Sequence, residues 1–219
     1  MEPSEKKRAY RDYHPGALVM YDGQQYEVTD IHEDRYQPYV EVQRVNTREY
    51  TITLSDKRVH DLEVKESRDL GGGFSIHKGM GTVDVAYTQY KRMDIDGGHA
   101  SSGMMPIDLP PVALRTQLMW IELPNRMLPE VEAAVNDEEY IEPSEDSEFA
   151  GMSPARFTVA GGLHGAEHGM IKMAPLELRL DNSDMGGLSM PMHPETESPV
   201  WFIHDAVEGG VGFSYSIYE

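Results

Sequence analysis

The chain has 219 residues, enough for one large domain or two small ones. Its 38 acidic residues against 19 basic ones give a net charge of −19, which disfavours contact between its average surface and naked nucleic acid or an anionic membrane. It has no cysteine, which excludes disulfide bonds and thiolate metal sites.

The same totals predict a soluble, cytoplasmic protein. No run of about 18 apolar residues occurs, so no membrane span is expected. The first twenty residues are polar, so no signal peptide is expected either. Seven Lys against twelve Arg, together with the excess of Asp and Glu, are typical of halophilic proteins, because salt screens their self-repulsion.

The first half of the chain is predicted to be rich in β-strands. Residues 1–13 are charged and lack apolar periodicity, which predicts a flexible lead-in. From His14 onward, short β-rich runs alternate with turn signals, a spacing that favours a small barrel or a strongly bent sheet. The predicted strands are residues 17–21, 25–31, 39–45, 49–54, 61–65 and 81–93.

A triple glycine at residues 71–73 separates two of these strands. It would cradle a phosphate only next to a helix N-terminus with a Lys, and the GxxxxGK[ST] pattern occurs nowhere in the chain. The sequence therefore predicts a loop here and no nucleotide-binding loop.

The middle of the chain is predicted to connect two modules. Residues 94–106 are rich in Gly and Ser, residues 116–123 form an extended segment, and residues 128–140 form a short helix. Seven acids lie between Asp137 and Glu148, which indicates a solvated linker and a domain boundary.

The last third is predicted to form a helix and strands. Apolar residues recur at three- and four-residue steps over residues 158–174, and Pro175 is expected to end that helix. Residues 176–180 and 199–204 have strand patterns. We therefore predict an α+β fold with a small β-barrel-like module (14–128), an acidic linker (129–156) and a helix-plus-sheet module (157–219).

His164, Glu167 and His168 match the pattern H-x-x-E-H. On a helix the two histidines lie one turn apart on the same face, as two ligands of one zinc ion do. Glu167 is then a candidate general base for metal-bound water, which is the chemistry of the inverted zinc peptidases. No third ligand follows at a recognisable spacing.

A structural polar cluster at a helix–sheet contact is the preferred interpretation of these three residues. Four glycines in the same helix lower its intrinsic stability, which we interpret as a sign of close packing against another backbone. These glycines are Gly161, Gly162, Gly165 and Gly169.

Three further residues are candidates for the same site. Asp184, in a D-M-G-G sequence, is predicted to cap a turn. Asp205, at the end of a buried strand, either caps a helix or carries a functional role. His193 is either an exposed loop histidine or a further metal ligand beside His164 and His168.

A nucleic-acid-binding face is a weaker prediction. Basic and aromatic side chains on the β module resemble the face of a small barrel that binds single strands, although an ordinary solvated sheet face is the preferred interpretation. These side chains are Arg44, Arg48, Tyr50, Lys57 and Arg58.

The order of the motifs is more specific than any one of them. H-x-x-E-H on a Gly-rich helix, a Pro, D-M-G-G, P-V-W-F-I-H-D and G-G-V-G resemble the C-terminal domain of the MrfA-type superfamily 2 DNA helicases. HPGALVMYDGQQYEV, YTQYKR and LPPVALRTQLMWIELP resemble the region just upstream in that family. The resemblance extends from about His14 over nearly the whole chain.

The resemblance implies a non-catalytic accessory region of a DNA-repair helicase, with a motor domain or subunit and DNA as expected partners. The family's four-cysteine zinc site cannot be transferred, because this sequence has no cysteine. We expect either a trimmed chain or a short relative that acts beside a separate motor. The alternatives are a metal-dependent hydrolase with zinc at the H-x-x-E-H helix, and a protein–protein adaptor in a repair or defence complex.

Overall fold

The chain folds as an α+β protein, as the sequence predicts. The computed structural model describes residues 3–33, 36–134 and 151–219. Its helices there are α1 (Pro3–Asp12), α2 (Met127–Ala134), α3 (Pro154–Glu177) and α4 (Phe213–Tyr218). Its strands are β1 (Leu18–Tyr21), β2 (Gln24–His32), β3 (Tyr39–Val45), β4 (Glu49–Gly71), β5 (Phe74–Asp94), β6 (Met105–Pro106), β7 (Val112–Glu122), β8 (Met185–Met190) and β9 (Val200–Asp205).

The described helices do not include a membrane span, because none of them is both long enough and apolar enough to cross a bilayer.

Two compact units share the chain. The first contains Met1–Arg58 and Val83–Leu114, and the second contains Val59–Thr82 and Arg115–Glu219. The chain passes from one unit to the other within β4, β5 and β7. The contiguous division that the sequence predicts, with boundaries at 128 and 156, stays a prediction. Most of the predicted linker, residues 135–150, lies outside the described residues.

In the first unit, an antiparallel sheet has the order β1-β2-β3. The predicted flexible lead-in instead contains helix α1, because Tyr10 anchors it in the core at 1% exposure. The Tyr10 hydroxyl donates to Glu33, and the Lys6 ammonium lies 2.7 Å from the same carboxylate. These long-range contacts are invisible to a search for apolar periodicity.

The two longest strands replace several short predicted ones. Strand β4 continues from the predicted strand at 49–54 through the one at 61–65, with Asp61 in the left-handed region at φ 53°. Gly71, Gly72 and Gly73 join β4 to β5 with φ values of 83°, 64° and 86°, which only glycine adopts readily. The triple glycine is thus a turn, as predicted.

The larger sheet has the strand order β4-β5-β7-β9-β8, with β6 paired to β5. Strand β9 pairs antiparallel with both β7 and β8, and Phe202 and Ile203 within it are fully buried. In the second unit, one face of this sheet packs with α3 and α4. That core contains Ile76, Met119, Ile121, Leu123, Val159, Leu163, Ala174, Met185, Ile203 and Tyr218.

Helix α3 is longer than predicted at both ends. It begins at Pro154, where a proline at the first helical positions costs no hydrogen bond. It continues past Pro175 to Glu177, and the Leu178 amide still donates to the Ala174 carbonyl at 2.8 Å. The prediction that Pro175 ends the helix was wrong, as was the strand at 176–180. A proline this close to the C-terminus removes one bond, and the buried Ala174 keeps the last turn packed.

The D-M-G-G sequence is not a turn. A short 3-10 helix, Asn182–Asp184, precedes it, and Met185, Gly186 and Gly187 already belong to β8. The Asp184 carboxylate accepts a hydrogen bond from the Asp181 amide at 2.7 Å, so its predicted capping role is present on the preceding segment.

The loop between β8 and β9 is tied to β4 by two side chains. The Glu195 carboxylate accepts hydrogen bonds from the amides of Asp61 at 2.8 Å and Leu62 at 3.0 Å. His193 Nε2 lies 2.9 Å from the Val59 carbonyl oxygen. These contacts fix β4 near Asp61, a residue of the strand whose φ is positive.

Replacing Glu195 with Ala is expected to lower the free energy of unfolding by about 1–3 kcal/mol, because two backbone amides lose a charged acceptor. Urea denaturation would measure the change. Glu208→Ala, which removes an exposed carboxylate from a turn of the same unit, is the matched control. Equal midpoints for the two variants would contradict a stabilising link between this loop and β4.

Candidate metal and nucleic-acid sites

Helix α3 and strand β8 together position Glu167. This residue is 5% exposed, on the sheet side of the helix. A Cβ atom at Gly187 would lie 2.6 Å from the Glu167 Cγ atom, and one at Gly186 would lie 2.5 Å from His204 Nε2. The two glycines therefore leave the space that the Glu167 and His204 side chains fill.

The two histidines of the H-x-x-E-H motif converge on the exposed part of the helix surface that borders Glu167. Their Nε2 atoms lie 3.1 Å apart, and their rings are nearly perpendicular at 87°. His164 Nδ1 lies 3.6 Å from Glu167 Oε2. One possible ligand atom from each of His164, Glu167 and His168 lies within 4.8 Å of those of the other two. Among the described residues, no other three His, Cys, Asp or Glu side chains are grouped in this way. The i,i+4 prediction thus places His164 and His168 together.

The glycines of α3 do not pack closely against another backbone, contrary to our interpretation of the sequence. Among the described residues, no atom of another element would lie within 4 Å of a Cβ atom added at Gly161, Gly162, Gly165 or Gly169. Exposed Met173 and Leu176 continue this side of the helix toward the C-terminus.

His193 is neither exposed nor part of the three-residue group. It is 1% exposed, and its ring packs on Phe202 with centroids 4.9 Å apart. Its Nδ1 accepts from the Glu195 amide at 3.3 Å while Nε2 contacts Val59. Its assignment as a metal ligand stays a prediction, and metal binding would require it to give up one of these contacts.

Asp205 organises the glycine-rich turn that follows β9. Its carboxylate is fully buried and accepts four backbone hydrogen bonds of 2.6–3.2 Å. The donors are the amides of Val211, Gly212, Phe213 and Ser214. It therefore holds the start of α4, which matches the helix-capping alternative given for it.

The predicted nucleic-acid-binding residues all lie in the first unit but do not share one face. Tyr50 and Arg58 are exposed and lie an even number of residues apart on β4, so they point to the same face of the strand. Lys57 lies an odd number of residues from both, so it points to the other face, where it is half-buried. Arg44 is exposed on β3. Arg48 forms a 2.5 Å ion pair with Asp96.

A second group of cations involves helix α1. Burial, followed by repulsion from Lys57 and Arg11, lowers the pKa of Lys7 to about 8. Lys7 and Arg11 are one helical turn apart, a spacing that is visible in the sequence once residues 3–12 are recognised as helical. The cluster was not predicted from the sequence, because those residues were assigned to a flexible segment.

Comparison with known proteins connects this geometry to one family. A family model described as the MrfA Zn-binding domain covers the second half of α3, β8, β9 and α4. Residues 166–219 match the MrfA Zn-binding domain. No curated protein sequence matches the chain.

Two solved structures share the fold. Both are crystal structures of the DUF1998 helicase MrfA, one bound to DNA and one bound to DNA and AMPPNP. The first has a TM-score of 0.62 at 22% identity, and the second has 0.55 at 20%. Each match covers 97% of this chain but only 25% and 22% of the MrfA chain. The resemblance to MrfA-type helicases is therefore confirmed, and it concerns about a quarter of the helicase.

The family description implies zinc, and the residues of this chain restrict how zinc would be held. Without cysteine, the ligands have to be nitrogen or oxygen atoms. In the part of the chain that the structure describes, the grouped donors are His164, Glu167 and His168, and imidazole and carboxylate are both zinc ligands.

A pair of glycine substitutions tests the packing of α3. Gly187→Ala is expected to destabilise the protein by about 1–3 kcal/mol, because the new methyl group overlaps the Glu167 side chain. Gly165→Ala is expected to stabilise it by about 0.5–1 kcal/mol, because the helix gains propensity and the methyl group meets open space. Denaturant midpoints measure both, and a destabilised Gly165→Ala would contradict the exposed face.

The lowered pKa of Lys7 predicts a pH-dependent stability. The unfolded Lys, at about 10.5, binds its proton more tightly than the folded one at about 8. The folded state therefore carries a penalty below pH 8, which disappears as the pH rises to about 10.5. Lys7→Met is expected to be more stable than the unmodified chain by up to about 3 kcal/mol at pH 7 and equally stable above pH 10.5.

Urea denaturation at a series of pH values measures this difference. Lys172→Met, which removes an exposed ammonium from α3, is the control and should show no such pH dependence. A constant difference between Lys7→Met and the unmodified chain across this range would contradict the buried cation.

Proposed function

We propose that this chain is a helicase-associated region that supplies nucleic-acid or partner contacts to an MrfA-type motor in DNA repair and performs no ATP hydrolysis itself. The match of 97% of the chain to about a quarter of MrfA carries the proposal. MrfA is bound to DNA in both solved structures. A cytoplasmic location and a halophilic origin remain predictions from composition.

The absence of a GxxxxGK[ST] pattern supports the non-catalytic part of the proposal. A motor of this kind holds nucleotide phosphates in such a loop. The triple glycine at 71–73 joins two antiparallel strands and does not begin a helix, so its amides are not arranged as a phosphate cradle at a helix N-terminus.

The distribution of charge supports contact with DNA through a restricted surface. With a net charge of −19, the average surface repels phosphate. The first unit nevertheless brings Lys57 and Arg11 close enough to Lys7 to repel its ammonium. A phosphate bound there would offset that repulsion and raise the pKa of Lys7. Exposed Arg44 and Arg58 provide two further positive groups in the same unit.

DNA binding is the direct test. Labelled single-stranded and duplex oligonucleotides, titrated at several KCl concentrations, should bind with an affinity that falls as salt rises. The expected log–log slope is about −0.7 per phosphate contacted for single strands and −0.9 for duplex. Lys7→Gln combined with Lys57→Gln should weaken binding and reduce the slope by about one for each phosphate that is no longer neutralised.

Arg179→Ala, which removes an exposed cation from the second unit, is the matched control and should leave the affinity and the slope unchanged. No DNA affinity even at low salt would overturn DNA contact and favour the adaptor function. An equal loss of affinity in the control would show that DNA responds to the total charge of the chain and not to the surface around Lys7 and Lys57.

A further inference from the structure

We propose that the Nε2 atoms of His164 and His168 bind a divalent transition-metal ion, with zinc as the expected ion, on the exposed side of α3. Glu167 positions His164 from the buried side of the helix and is neither a ligand nor a general base. The proposal does not depend on DNA binding or on a motor partner.

The separation of the two nitrogens fits a shared ion. Zinc–nitrogen bonds of about 2.0–2.1 Å at a tetrahedral angle place two ligand nitrogens about 3.3 Å apart. His164 Nε2 and His168 Nε2 are 3.1 Å apart, so only a small movement of the rings is needed. Both side chains are exposed, which gives an ion direct access from solvent.

The space between the two Nε2 atoms suits either a shared hydrogen or a metal ion. Two neutral imidazoles at 3.1 Å interact favourably only if one Nε2 carries hydrogen and the other offers its lone pair. A metal ion accepts both Nε2 lone pairs once the hydrogen on that Nε2 has moved, through solvent, to the Nδ1 of the same ring.

Glu167 favours the tautomer that a metal needs. Its Oε2 lies 3.6 Å from His164 Nδ1, so a small rotation of either side chain would let the carboxylate accept a hydrogen bond from Nδ1 and leave the Nε2 lone pair available. A carboxylate behind a histidine ligand is a frequent arrangement in zinc sites. Because Glu167 is buried with Oε1 against Gly187, only Oε2 is directed toward the histidine pair.

The donor set also restricts the kind of ion. Imidazole nitrogen suits zinc, copper and nickel, whereas magnesium and calcium require oxygen ligands. The remaining coordination positions face solvent, so water completes them in the isolated chain. The expected order of affinity is copper above zinc, with no measurable contribution from magnesium.

The test uses the whole chain in metal-free buffer and Zn²⁺ alone as the probe. Competition with a chromophoric chelator should give one equivalent of bound Zn²⁺, and His164→Ala and His168→Ala should each lose it. Glu167→Gln should keep one equivalent with an affinity about 10–100-fold lower. His99→Ala, at an exposed histidine of the first unit, is the control and should bind normally.

A second readout reports on the helix itself. Zn²⁺ should slow amide hydrogen exchange over residues 161–170 in the unmodified chain but not in His168→Ala, because the ion links two successive turns. The absence of Zn²⁺ binding, or binding unaffected by both histidine variants, would overturn the site. Complete loss of binding in Glu167→Gln would make Glu167 a ligand and overturn its positioning role.

Discussion

Helix α3 rests on β8 at a residue that lacks a side chain. Gly187 leaves room for Glu167, so a carboxylate is placed inside a helix–sheet contact, and Gly186 leaves room for His204 of the neighbouring strand. Burying a charged group in this way is unfavourable unless nearby positive or polar groups compensate it. The position of Glu167 in turn determines which side of α3 carries the two histidines.

The second unit depends on acidic side chains that bind backbone amides. Asp205 holds four amides at the start of α4, and Glu195 holds two amides of β4 beside a residue with positive φ. Each carboxylate accepts hydrogen bonds from backbone amides that have no partner within a helix or a sheet. Some of the chain's carboxylates therefore stabilise its own backbone. The net charge overstates how many carboxylates are available to repel or attract a partner.

Local patterns predicted some of this structure well. The i,i+4 spacing of His164 and His168 was sufficient to place them together, because helix geometry fixes that relation. The α+β class and the buried strand at 199–204 followed from periodicity. The order of the motifs along the chain was enough to indicate the MrfA resemblance.

Long-range packing produced the errors. Gly186 and Gly187 were assigned to a turn because the sequence does not show that His204 fills the space at Gly186 and that Glu167, twenty residues earlier, fills the space at Gly187. The same limit applies to His193, whose partner Val59 is 134 residues away. For the glycines of α3, low helix propensity was attributed to close packing, whereas the structure leaves their side of the helix open.

The buried ammonium of Lys7 also has a chemical consequence. At pH 8, about half of an amine with a pKa of about 8 is neutral, against roughly 0.3% of one with the ordinary pKa of 10.5. Only the neutral amine is a nucleophile. Under mild conditions, acylating reagents would therefore favour this lysine over exposed lysines with ordinary pKa values. Burial, together with repulsion from Lys57 and Arg11, thus makes the side chain a selective attachment point for a fluorophore or a crosslinker.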